Sequence, residues 1–219
     1  MSRIIISCGN LLHHLEAAQK KMNTSYNVVE LDTELHSEPE RLRRTLFDTM
    51  EALDPAADTV LLAMGLCGGS VSDIPLPRNI VIPKVDDCIT LLMHTDDRWY
   101  ANLKKCGHLY LTDTVDGKLS VPGIRDGLIE KYGEKKGLRV FDMWFKDYKS
   151  VDIIDTGVYD CHSSTYLTCA ENSASLINCP LAFVPGSNII LEKLVSGRWD
   201  SQFIIASAGD VLHKEDFNI

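Results

Sequence analysis

Four short segments near the N-terminus are apolar at nearly every position rather than at every second one: Arg3–Ser7 (RIIIS), Tyr26–Leu31 (YNVVEL), Thr59–Met64 (TVLLAM) and Asn79–Ile82 (NIVI). A strand that is apolar on both faces must be covered on both, which is the situation of a parallel sheet flanked by helices. The segments between them supply such helices. Leu11–Met22 carries Leu12, Leu15 and Ala18 at helical spacing, and a second helix carries Leu42, Leu46, Phe47, Met50 and Leu53 before Pro55 stops it. Ser37, Pro39 and Glu40 have the spacing of a capping box with proline in the first turn. The pattern predicts an α/β fold, a parallel sheet with helices on both faces. Right-handed crossovers follow, and the first four strands are expected in the order 2-1-3-4.

The rhythm continues less cleanly beyond His108. Strands are expected at His108–Thr112, Val151–Asp155, Leu181–Val184 and Phe203–Ala206. Helices are expected at Pro122–Tyr132, Val140–Lys149, Ser163–Ile177 and Ile189–Val195, the last closed by Gly197. The chain thus divides into two Rossmann-like halves, closely packed, with the seam between Thr112 and Pro122: an N-terminal half 1–112 and a C-terminal half 113–219.

A net charge of −9 argues against nucleic-acid binding, which needs a basic stripe. The longest apolar run, around Val60–Leu66, is far short of the ~20 residues of a membrane span. Nor does Met1-Ser2-Arg3 followed by three isoleucines make a signal-peptide core. The expectation is a cytoplasmic protein with no membrane and no nucleic-acid partner, in a compartment where thiols stay reduced. Seven cysteines then ask for a reason.

Three of them fall at equivalent places. Cys8, Cys67 and Cys88 each follow the C-terminal end of a predicted parallel strand, and those ends share the edge where α/β sheets bind ligands. With neighbouring strands ~4.8 Å apart, the three thiols converge. Cys67 sits in Gly65-Leu66-Cys67-Gly68-Gly69, whose glycines permit a sharp turn and whose N–H groups are expected to face a thiolate. His36 follows the second strand on the same edge, and Asp86-Asp87 precede Cys88. Lys84 is expected to pair with one of these carboxylates. Three thiolates suit a [4Fe–4S] cluster with one open iron, or a zinc completed by His36 or water. Small apolar residues at strand ends are the plain alternative. Cys106, Cys161, Cys169 and Cys179 are taken as ordinary cysteines. None sits at a strand's C-terminal end in this scheme; Cys161 and Cys169 share a helix spacing, and Cys161 is next to His162. His13-His14 are taken as a solvated first helical turn.

These residues, with others, resemble a domain-of-unknown-function family of methanogens and other strict anaerobes, whose members are often encoded beside methylamine-type corrinoid methyltransferase genes. The likeness rests on Ile6-Ser7-Cys8-Gly9, Leu35-His36, Gly65-Leu66-Cys67-Gly68 and Ile82-Pro83-Lys84-Val85-Asp86-Asp87-Cys88-Ile89. In the second half it rests on Tyr110-Leu111-Thr112, Asp155-Thr156-Gly157, Val184-Pro185-Gly186-Ser187, Leu191-Glu192-Lys193-Leu194, Trp199-Asp200 and Phe203. The family pattern contains thiols matching Cys8, Cys67 and Cys88 and a histidine matching His36, and it lacks the other four cysteines. The chain departs from it before Tyr110, where Cys106-Gly107-His108 replaces a Gly-Thr-Tyr-Tyr-like stretch.

The expectation is therefore a metalloprotein with a [4Fe–4S] cluster on Cys8, Cys67 and Cys88 and with His36 as fourth ligand or facing the open iron. Zinc-dependent methyl transfer to or from a thiolate is the alternative, as is a non-catalytic accessory role. Gly68, Asp87, Asp155, Thr156, Gly157, Gly186 and Ser187 are the expected small-molecule contacts, the last five facing the cluster from the second half. The resemblance implies anaerobic one-carbon or corrinoid metabolism and a corrinoid protein as partner. It names no catalytic residue.

Overall fold

The computed structural model describes residues 2–217, and it divides into two compact units. One comprises Met1–Leu103 and Ser187–Ile219, the other Lys104–Gly186.

The first unit is built on a five-stranded sheet of order β2-β1-β3-β4-β8. Its strands are β1 (Ser2–Cys8), β2 (Asn27–Leu31), β3 (Ala57–Ala63), β4 (Asn79–Pro83) and β8 (Phe203–Ala206). The first four run parallel in the expected 2-1-3-4 order; β8 joins the edge antiparallel, Ile82 opposite Ile204. The helices are α1 (Leu12–Met22), α2 (Pro39–Ala52), α3 (Cys88–Met93) and α7 (Ile189–Ser196). Leu42, Leu46 and Met50 of α2 bury the sheet face formed by Ile6, Val60, Leu62, Ile80 and Ile82. Ile5, Leu61 and Val81 alternate to the opposite face and are equally buried; α7 packs against β3 and β4 and against α1. Chain winding explains this. The crossover from β1 to β2 goes one way, that from β2 to β3 goes back over β1, and right-handedness puts their helices on opposite faces. The winding reverses between β1 and β3, the place where sheets of this kind bind ligands at the C-terminal ends of their strands.

The second unit holds a three-stranded parallel sheet in sequential order: β5 (His108–Leu111), β6 (Ser150–Asp155) and β7 (Leu181–Pro185). Its helices are α4 (Val121–Tyr132), α5 (Glu134–Phe145) and α6 (Ser164–Leu176). Leu128, Phe141, Phe145, Tyr166, Ala170 and Ala174 close over Val151 and Ile153.

Several expectations need correction. The boundary between 112 and 113 is replaced by two crossings, because Ser187 onward returns to the first unit and supplies α7 and β8. The expected capping box does not form: a 3-10 turn runs through Thr33–Ser37, the Ser37 hydroxyl donates to the Glu34 carbonyl at 2.7 Å, and Glu38 holds the N-cap position. Helix α5 starts at Glu134, not Val140. His14 is fully buried rather than solvated.

Candidate metal centre

Four loops at the C-terminal edge of the first sheet each deliver one donor. Cys8 is the last residue of β1 and stands opposite Leu31 of β2. His36 lies in the 3-10 turn after β2. Cys67 follows β3, and Cys88 opens α3 after β4. All three thiols are buried.

Two glycines allow these loops to approach. A Cβ on Gly9 would fall 2.9 Å from Glu30 Oε1 and 2.9 Å from Thr33 Cγ2, so the turn after Cys8 lies close against the segment bearing His36 and a larger residue would displace those side chains. A Cβ on Gly65 would fall 2.7 Å from the backbone of Asp87, and there the Cys67 loop meets the Cys88 loop. Backbone bonds then lock the pair: Leu66 N–H donates to Val85 O at 2.9 Å and Cys67 N–H to Asp86 O at 2.8 Å. From α2, the Arg43 guanidinium donates twice to the Gly69 carbonyl, at 2.8 and 3.2 Å. Cys67 itself has φ 44°, unusual outside glycine, and Gly68 and Gly69 continue at 72° and 92°. A left-handed Cys costs about 1–2 kcal/mol, so the surrounding bonds hold it there. The N–H groups of Leu66, Cys67 and Gly69 all go to carbonyls, so they do not serve as thiolate donors.

Cys8 Sγ lies 3.7 Å from His36 Nε2. Cys67 is near enough to His36, and Cys8 to Cys88, to shift each other's protonation. His36 Nδ1 lies 3.1 Å from the Thr33 carbonyl and donates to it, which leaves Nε2 as the donor atom toward the thiols. An imidazole oriented by a backbone carbonyl in this way is the usual support of a metal-bound histidine. The neighbouring Cys67 thiol pushes His36 up to about 9 against the effect of burial. Burial pushes the Cys67 thiol up, and neighbouring Cys8 together with burial pushes Cys88 up. These shifts all favour the protonated forms, so metal binding here would release protons.

Three buried thiols and one imidazole make a soft donor set on loops fixed by backbone bonds. Among the described residues, though, no three of these four bring their donor atoms within 4.8 Å of one another, the spacing a single ion needs. Asp87 caps α3 by accepting from Thr90 N–H at 2.9 Å, and Gly68 lies beside Pro39, 3.5 Å from the position of a Cβ. Lys84 places its ammonium over the Trp99 ring, 5.2 Å from the centroid.

The other expected contacts lie along the chain as follows. Asp155 ends β6, and its Oδ1 accepts from Gly157 N–H at 3.1 Å. Thr156 Oγ1 accepts from Val158 N–H at 3.3 Å, and Gly157 has φ 70°. Gly186 N–H donates to the Asp155 carbonyl at 2.9 Å. Ser187 donates its hydroxyl to the His94 carbonyl and accepts from Ile189 N–H, tying α3 to the start of α7. Cys161 is not on a helix face with Cys169: it lies in the loop after β6, ahead of α6, with His162 beside it and Asp155 at the same strand end. The adjacency of Cys161 and His162, a few residues after a strand-ending Asp, was the signal in the sequence.

No curated protein and no solved structure matches the chain. A family model does, and its match takes in His36, Cys67 and Cys88 but begins after Cys8. That model, described as "Protein of unknown function (DUF1638)", covers residues 30–195, and the chain belongs to this family.

Proposed function

We propose that the protein carries a [4Fe–4S] cluster on Cys8, Cys67 and Cys88, with His36 beside the fourth iron, and binds or converts a small molecule there. The observation that carries this reading is the placing of Cys8, His36, Cys67 and Cys88 at the C-terminal ends of four neighbouring strands, with Cys8 Sγ 3.7 Å from His36 Nε2. Three thiolates hold a cubane and leave one iron open to an exogenous ligand. Among the protein's own groups, His36 is the candidate for that position: Nδ1 is taken by the Thr33 carbonyl, which leaves Nε2 for a ligand. Gly65 and Gly68 keep side chains away from the loop, and Asp87 orders the first turn of α3 around Cys88. The family resemblance supports a place in anaerobic one-carbon or corrinoid metabolism, with a corrinoid protein as partner.

A mononuclear zinc site is the second reading; the 3.7 Å between Cys8 Sγ and His36 Nε2 matches one pair of its donors, and the other thiols would have to draw in to complete it. Two such donors on one tetrahedral zinc stand about 3.6 Å apart, from Zn–S of ~2.3 Å and Zn–N of ~2.0 Å. Methyl transfer to or from a zinc-bound thiolate is the chemistry of that alternative. Anaerobic purification with iron, sulfide and zinc determination separates the readings. The cluster predicts about four iron and four sulfide per chain with broad visible absorption. One zinc per chain lost on Cys67→Ala supports the alternative. Absence of any metal lost on that substitution sinks both and leaves an accessory role.

A further inference from the structure

We propose a second metal site, in the other unit, where Asp155, Cys161 and His162 bind Zn2+ with a fourth coordination position open to solvent. It uses none of the residues of the thiol centre and stands whether or not that centre holds a cluster.

The site is made by one loop. Asp155 is the last residue of β6, the central strand of its sheet, and the chain turns back through Gly157 before α6 begins at Ser164. Cys161 N–H donates to Tyr159 O at 3.1 Å, His162 N–H to Asp160 Oδ1 at 3.1 Å, and Ser163 N–H to Asp160 O at 3.3 Å. The Tyr159 hydroxyl ties the loop to the strand by donating to Ile154 O at 2.7 Å. The His162 ring stacks on Phe183 of β7 with centroids 4.6 Å apart. The loop is thereby shaped before any ion arrives.

The donor atoms of the three residues all lie within 4.8 Å of one another. Asp155 Oδ2 and His162 Nε2 are 3.6 Å apart, too long for a good hydrogen-bonded ion pair. Two N or O donors sharing a tetrahedral zinc stand about 3.3 Å apart, and a sulfur with a nitrogen about 3.6 Å, so the spacing is that of ligands with an ion between them. Gly157 N–H occupies Asp155 Oδ1 and so directs Oδ2 to the site. The donor set selects the cation: thiolate and imidazole are poor ligands for Mg2+ or Ca2+ and good ones for Zn2+. Exposure selects the geometry. The Cys161 residue is 1% exposed and forms the floor, while the side chains of His162 and Asp155 are 64% and 42% exposed at the mouth. Three protein ligands beneath an open mouth leave room for water or a small anionic ligand as the fourth, the arrangement of reactive rather than structural zinc.

The test uses the full chain with Cys8→Ala, Cys67→Ala and Cys88→Ala combined, which removes the thiol centre. Anaerobic titration with Co2+ should give, at one equivalent, a tetrahedral cobalt spectrum with a thiolate charge-transfer band, and Zn2+ should displace it. Adding Cys161→Ser should abolish the charge-transfer band. Adding His162→Ala or Asp155→Asn should weaken Co2+ binding at least about tenfold. A triple variant without a tetrahedral cobalt spectrum, or a band that survives Cys161→Ser, overturns the proposal. If the triple variant does not fold, zinc-loaded wild type is compared with Cys161→Ser and with Cys169→Ser. Loss of one equivalent of zinc in the first alone supports the site, and equal zinc content overturns it.

Discussion

The two units gather their candidate metal ligands by opposite means. In the first, Cys8, His36, Cys67 and Cys88 come from four loops and meet only because β2, β1, β3 and β4 are laid side by side. In the second, Asp155, Cys161 and His162 come from a single loop and meet through turn hydrogen bonds. The first arrangement depends on sheet topology and on close approach between loops; the second depends on local backbone conformation. The first is rich in buried sulfur, the second mixes one buried thiol with an exposed imidazole and carboxylate. The contrast predicts which perturbations each will tolerate.

The largest expected effect is on metal content. Replacing Cys67 by Ala should remove most of the iron, because a three-thiolate site has no spare ligand. Cys161→Ala should leave iron unchanged. Iron and sulfide analysis of the two variants checks this, and equal iron loss would erase the distinction between the units. Next is His36→Ala. It should speed loss of the metal to a chelator by about 10–100-fold while leaving the Asp155 site unaffected, followed as release rates under anaerobic conditions.

Stability comes third. Gly65→Ala forces a methyl into the Asp87 backbone and should cost about 2–3 kcal/mol in urea unfolding. Gly157→Ala meets nothing within 4 Å, and only its φ of +70° opposes the change, so about 1 kcal/mol is expected. A larger loss at Gly157 than at Gly65 would contradict the view that close loop approach builds only the first site.

The smallest effect concerns acid. Lys193 of α7 is 2% exposed and donates to Asp97, Asp200 and Gln202 at 2.6–2.7 Å, fastening the returning segment to the first. Against the effect of burial, this ammonium holds the Asp200 carboxyl below the usual carboxylate range. A depressed carboxyl contributes stability above its unfolded pKa and loses it as pH falls through the folded one. Lys193→Met should therefore cost about 1 kcal/mol at neutral pH, since both aspartates are partly exposed, and the gap to wild type should shrink below pH ~4. Chemical denaturation across that range measures it.

Much of the first unit was legible. Strands apolar on both faces can only be parallel and covered, so their order and shared edge followed, and with them the places of Cys8, Cys67 and Cys88. Helix α3 was not legible, because it is only six residues long and its start is a cysteine behind two aspartates. Helix α5 opens on Glu-Lys-Lys-Gly, which has no apolar period to mark it. The return of the chain at Ser187 was hidden because β8 pairs antiparallel with β4, and pairing of a four-residue edge strand is decided by its tertiary neighbours. Cys161 was set aside because its strand end was sought one or two residues away, whereas the loop after β6 doubles back to reach it.

Because Lys104–Gly186 interrupts the first unit, the order of synthesis matters. β1, β3 and β4, with all three thiols of the edge, leave the ribosome before the second unit, and α7 and β8 after it. Until then the part of the sheet under α7, over β3 and β4, is uncovered and the β4 edge lacks its partner, an exposed template for association with other chains. The interrupting segment has its own sheet and core, so its folding brings Leu103 and Ser187 to fixed positions. An unstructured insert of about 80 residues would instead impose roughly 4 kcal/mol of closure entropy on the returning strand. The second unit thus acts as a folded clasp that shortens the search of β8 for β4, and slowing its folding would prolong the nascent chain's exposure.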